Sequence, residues 1–155
     1  MHENKIAEGN LAIAEFMGGS VESSEKYEMP HGSRGEGTLT KWRGIERVPG
    51  SYNDMARIGI FYYDSRIEWI WPVVDRIEEL GYEFVISRRG IQVWRRPPQG
   101  RTSATDLIID EDFLDDYVEE QKIKSIWDCC VSFIVWYNKQ NQTDKNVTTN
   151  RESHS

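Results

Sequence analysis

Residues 66–83 read RIEWIWPVVDRIEELGYE, and how this stretch folds decides the rest of the chain. Ser65 followed by Glu68 has the spacing of a capping box, in which each side chain satisfies a backbone N–H at a helix start, so a helix is expected from about Arg66. Ile67, Ile70, Trp71, Val74, Ile77 and Leu80 then follow the i, i+3, i+4 rule along one apolar face, with Asp75, Arg76, Glu78 and Glu79 on the other. Gly81 is placed to close the helix. Pro72 lacks an amide proton and presses on the carbonyl one turn earlier, so a kink or a division is expected there. On this spacing Trp71 belongs to the core, packed against the C-terminal helix near Trp127, and Trp69 points elsewhere.

Working outward, YEFVISRRGIQVWRR reads as two strands, 82–87 and 91–95, joined by a tight turn that contains Gly90. Upstream, ARIGIFYYD collects β-branched and aromatic residues into an expected strand at 58–63. KIAEGNLAIAEFMGG gives an N-terminal helix that Gly18 and Gly19 end in a left-handed cap. Residues 20–55 are rich in Gly, Ser, Glu and Pro and form a loop-rich excursion with one strand expected at TLTKWR, 38–43. Downstream, TDLIIDEDFLDDYVEEQ reads as an acidic amphipathic segment with Phe113, Leu114, Tyr117 and Val118 at helical spacing. KIKSIWDCCVSFIVWYNKQ places Ile123, Ile126, Trp127, Cys130, Phe133, Ile134 and Tyr137 on one helical face. The expectation is an α+β fold: one domain over 1–139, with a small, mainly antiparallel sheet packed by two or three helices, and a disordered polar tail over 140–155.

The chain has 155 residues, enough to bury a core without metal or disulfide staples. Its net charge of −7 disfavours non-specific attraction to nucleic acid or anionic membrane through the overall field, although a local basic patch is compatible with it. No apolar run approaches the roughly 18 residues of a membrane span. The first residues, MHENKIAEGN, lack the charged-then-apolar layout of a secretory signal, so a soluble cytoplasmic protein is expected. In that setting the NQT and NVT sequons at Asn141 and Asn146 read as polar tail.

Three blocks, IAEFMGG (13–19), EWIWPVVDRIEELGY (68–82) and IWDCCVSFIVWYNKQ (126–140), together resemble a group of small uncharacterised proteins of bacteria and their phages. That group is in turn similar to the phage alpha-beta-alpha sandwich domains. The resemblance covers about a third of the chain. It implies a compact α+β domain and a phage or mobile-element origin, and it supplies no catalytic residues. Segments 20–55 and 100–121 stand outside the group's pattern, and a function peculiar to this member would lie there.

The sharpest chemical signal is SRRGIQVWRRPPQGR, which carries Arg88, Arg89, Arg95, Arg96 and Arg101 around Trp94 with no acid among them. Guanidinium groups fork onto carboxylates or phosphates, and an exposed indole stacks on a base. With Trp42 these residues form the candidate binding set. Three readings compete: neutralisation by the acidic run that follows (Asp106, Asp110, Glu111, Asp112, Asp115, Asp116, Glu119 and Glu120), a protein partner, or single-stranded nucleic acid.

No catalytic or metal-binding set is expected. DEDFLDD lacks the glycine and spaced ligands of a calcium loop. HGSRGEGT lacks the phosphate-loop spacing. His2, His31 and His154 are scattered in loops and tail, offering neither a triad nor a metal trio. Cys129 and Cys130 are adjacent, which suits neither a disulfide framework nor CxxC, with Cys130 expected in the core and Cys129 more exposed. The functional expectation is therefore a non-enzymatic binding or accessory protein without cofactor, acting through protein contacts, with single-strand binding through 88–101 as the alternative.

Overall fold

The computed structural model describes residues 2–28, 36–87, 89–95, 107–112 and 119–152, and side chains over 5–25, 39–87, 89–95, 107–111 and 121–142. The architecture is mixed α+β, as expected. Among the described residues there are four α-helices, a two-stranded antiparallel ribbon and a three-stranded antiparallel sheet of order β3-β4-β5. The chain groups into two compact units, Met1–Val73 and Val74–Ser155.

In the first unit α1 (His2–Phe16) ends as its sequence predicts. Gly18 adopts a positive φ of 92°, its amide donates to Glu15 O at 3.0 Å, and the Gly19 amide donates to Ala14 O at 2.9 Å. These two bonds satisfy the last carbonyls of the helix and turn the chain out of it. A Cβ on Gly19 would stand 2.5 Å from Ile45 Cγ1 and 2.9 Å from Ala14 O, so no other residue fits that turn. The excursion that follows is more ordered than its composition suggests. β1 (Ser20–Glu28) pairs antiparallel with β2 (Glu36–Arg43), which contains the expected strand 38–43. A 3-10 turn (Gly50–Tyr52) and the short α2 (Asn53–Arg57) come next.

The strand expected at 58–63 is not formed. The Gly59 amide donates to Ala56 O at 3.1 Å and the Ile60 amide to Met55 O at 2.9 Å, with Gly59 at φ 83°, which is the same helix-ending pair of bonds that closes α1. Residues 58–60 are thus used in capping α2, and Ile58 is 46% exposed. The aromatic residues after them contribute rings rather than a ladder: Phe61 meets Trp42 edge-on at 5.4 Å, and Tyr62 and Tyr63 meet Trp69 at 5.7 and 5.1 Å.

α3 (Ile67–Glu79) begins one residue after the expected start, and the amides of Trp69 and Ile70 donate to Arg66 O. Pro72 lies inside a helix that continues through it, and Gly81 ends it at φ 102°. The assignment of the two tryptophans is reversed from the expectation. Trp69 is 1% exposed and Trp71 45% exposed, and Ile67 and Leu80 are also exposed. The buried stripe is Trp69, Ile70, Val73, Val74 and Ile77, which spans an arc of about 140° at 3.6 residues per turn. Ile67 and Trp71 fall just beyond that arc, so Trp71 is not a core residue.

In the second unit β3 (Tyr82–Ile86) and β4 (Gly90–Arg95) form the expected hairpin, with Tyr82 opposite Arg95 and the Ser87 amide donating to Gly90 O at 2.9 Å across the turn. The third strand of the sheet is β5 (Leu107–Asp112), not 58–63. The acidic segment read as helical is therefore extended at its start, where Ile108 and Ile109 supply β-branched residues and Leu107 and Ile109 pair with Trp94 and Val93 of β4. Residues 113–118 lie outside the described set. α4 (Glu119–Glu152) lies against β4 and β5 and carries the buried face Ile126, Trp127, Cys129, Cys130, Phe133 and Ile134. It runs as helix to Glu152, through most of the 140–155 stretch expected to be a tail without structure. Once a helix is nucleated by a packed segment, adding each further residue forms a hydrogen bond without a new nucleation cost.

Candidate functional site

The alternation of β4 divides the hairpin's candidate residues between two faces. Ile91 and Val93 are buried, whereas Gln92 and Trp94 are half-buried on the opposite face. Register then places Glu83 and Val85 of β3 across from Trp94 and Gln92, and Asp110 of β5 across from Gln92. Glu83, Val85 and Asp110 are exposed. Two hydrogen bonds tie this outer face together. The Trp94 indole N–H donates to Gln92 Oε1 at 3.2 Å, and Gln92 Nε2 donates to Asp110 Oδ1 at 3.4 Å. The bonds hold the Trp94 ring against the sheet and orient Gln92 between an indole and a carboxylate.

Arg95 does not share that face. It is exposed on the α4 side, its guanidinium 5.9 Å from the centre of the Trp136 ring, beside Tyr82. Arg89 is exposed in the turn, where its backbone amide donates to Ser87 Oγ at 3.3 Å. Arg88, Arg96 and Arg101 lie outside the described residues. Trp42, the remaining member of the candidate set, is 4% exposed within the first unit, where its ring meets that of Phe61, so little of its surface is open to a protein partner.

The acidic run does come to the hairpin, as a neighbouring strand. Asp110 takes its bond from Gln92, and Glu111, on the inner side, accepts one from Ser132 Oγ at 3.5 Å. The side chains of Asp106, Asp112, Asp115, Asp116, Glu119 and Glu120, the rest of the run, lie outside the described set. What sequence reasoning missed is that Trp94 would sit among Glu83, Gln92 and Asp110. The signal was present in the strand register: Glu83 and Trp94 are equally far along the chain from the midpoint of the 87–90 turn once the hairpin is closed.

The cysteines carry no nucleophile. Both are buried, including Cys129, which was expected to be more exposed. Burial pushes both thiols up, Cys129 further raised by Glu111 and Asp128 and Cys130 by Cys129 and Glu111, so both are protonated at neutral pH. Among the described residues no group of three His, Cys, Asp or Glu side chains is arranged to hold a metal ion, and no helix is long and apolar enough to cross a membrane. No family model, curated protein or solved structure matches the chain.

Proposed function

We propose that the protein is a non-enzymatic accessory binding protein of phage or mobile-element type that acts through contacts with another protein. The docking face is the outer surface of the β3-β4-β5 sheet, centred on Trp94. Support comes from one arrangement: a half-buried indole held by Gln92, with the exposed apolar Val85 beside it and the carboxylates of Glu83 and Asp110 around it. Aromatic side chains anchor partners by filling pockets, and the surrounding charge selects which partner approaches. Here that charge is negative, which favours a basic protein segment.

The alternative, single-stranded nucleic acid on residues 88–101, needs phosphates to run past Trp94, and Glu83 and Asp110 oppose that path. Two measurements separate the readings. A photo-crosslinking residue in place of Val85 should capture a protein whose reciprocal pull-down is lost with Trp94→Ala, while a filter-binding titration with single-stranded DNA should show no retention at low salt. Retention that falls steeply with salt and disappears with Arg95→Ala and Arg96→Ala together would replace the protein-contact reading with the nucleic-acid one.

A further inference from the structure

A concavity of about 270 Å³ in the first unit is lined by Glu22, Lys41, Trp42, Asp54, Arg57 and Ile58. Two cations and two anions therefore surround one small space. Among the described residues none of these four charged side chains is engaged in an ion pair. Glu22 reaches the site because it is the extra residue of a β-bulge. Val21 pairs with Trp42 and Ser23 with Lys41, which leaves Glu22 out of the ladder, and such bulges redirect a side chain. Asp54 and Arg57 come from the same side of the short α2, three residues apart.

The floor is Trp42, more than nine-tenths buried. A Cβ on Gly59 would lie 3.4 Å from its Nε1, so the N–H edge of the indole is turned toward the Ile58 and Gly59 backbone, the side on which Ile58 lines the concavity. Among the described residues that N–H makes no hydrogen bond. An indole N–H donates and never accepts, so the ligand group it can receive is an acceptor such as a carboxylate oxygen.

We propose that this concavity is a binding site for a small zwitterion, an aliphatic α-amino acid. A lone anion would face Glu22 and Asp54, and a lone cation would face Lys41 and Arg57. A molecule carrying both signs meets all four. The carboxylate lies against Arg57 and the Trp42 N–H, the ammonium against Glu22 and Asp54, and the aliphatic group against Ile58, which is apolar and exposed.

The test follows the Trp42 indole N–H resonance of the ¹⁵N-labelled full chain during titration with L-valine, and with isovalerate and isobutylamine, which carry one charge each on a similar carbon skeleton. The expected result is a saturable shift with L-valine, with apparent affinity at least about tenfold tighter than for either single-charge probe, the discrimination one well-placed charge contact gives. Arg57→Gln and, separately, Glu22→Gln at the exposed bulge should each weaken L-valine by about the same factor, while the dispersed indole resonance reports that the fold is kept. No saturable shift with L-valine, or a shift with isovalerate of equal affinity, overturns the proposal.

Discussion

Around Trp69 the rings of Tyr52, Tyr62 and Tyr63 stand at 5.6, 5.7 and 5.1 Å, whereas around Tyr82 the rings of Phe133, Trp136 and Tyr137 stand at 4.8, 5.9 and 6.4 Å. The first cluster, in the Met1–Val73 unit, is deep. Trp69 and Tyr63 are almost wholly buried, and among the described residues the Trp69 indole N–H and the Tyr63 hydroxyl have no hydrogen-bond partner. The second, in the Val74–Ser155 unit, is closed at one end by buried Phe133 and open at the other, where Arg95 lies over half-buried Trp136. One cluster gains packing at the expense of unsatisfied polar atoms. The other leaves its polar edges at solvent and is the more suitable for contact with something outside.

The largest expected effect breaks the first cluster. Trp69→Ala removes a ring that touches three others, and emptying such a buried aromatic site costs about 3–5 kcal/mol. Trp71→Ala, two residues away on the exposed side, should change stability by no more than about 0.5 kcal/mol. Urea unfolding midpoints of the two variants at constant slope measure the difference. A larger loss for Trp71→Ala would show that α3 buries the other face.

That reversal also marks what could be read from the sequence and what could not. The helix, its glycine stop and the paired strands after it were legible, because glycine left-handed caps and tight hairpins are set by local chemistry. The face of α3 was not. Ile67, Trp69, Ile70, Trp71, Val73 and Val74 are all apolar, so i, i+3, i+4 spacing fits two stripes offset by one residue, and only the tyrosines supplied from elsewhere in the first unit choose between them. Likewise ARIGIFYYD has strand composition, but Gly59 after α2 spends its first residues on a helix cap. At the proposed docking face, Trp94 was legible as a candidate and Glu83 follows from the hairpin register, but Asp110 comes from a segment more than ten residues downstream whose pairing with β4 no local pattern encodes.

A second effect sharpens the contrast from the side of the C-terminal unit. Its buried polar groups include two adjacent thiols, held protonated chiefly by burial and then by nearby carboxylates. Unfolded thiols release their protons near pH 8.5, while the folded chain keeps both. The unfolded state then binds fewer protons than the native one, so stability is intact below about pH 8.5 and falls as pH rises above it. Each thiol contributes up to about 1.4 kcal/mol per pH unit, so the pair should cost about 2 kcal/mol between pH 9 and 10. The variant carrying Cys129→Ala and Cys130→Ala, less stable at neutral pH because it leaves small cavities, should show a correspondingly flatter decline over the same interval. Parallel declines in urea unfolding at the two pH values would mean that the thiols titrate alike in both states.

The smallest effect concerns the hydroxyl of Tyr63, and its sign is the informative part. Burial raises the pKa of this phenol, consistent with an O–H sealed among the rings of Phe61 and Trp69 rather than hydrogen-bonded to a group that would favour its anion. A buried donor without a partner carries its full desolvation penalty, so deleting it while keeping the ring should help. Tyr63→Phe is expected to stabilise the protein by about 1 kcal/mol, the opposite of what truncating a core residue ordinarily does. The ring contacts with Phe61 and Trp69 are retained in the variant, which confines the change to the oxygen. A loss of about 1 kcal/mol instead, read from the urea midpoint, would mean that an internal water bridges the hydroxyl to the Trp69 N–H. The deep cluster would then be a hydrated polar centre rather than a dry one, and its contrast with the open cluster around Tyr82 would rest on exposure alone.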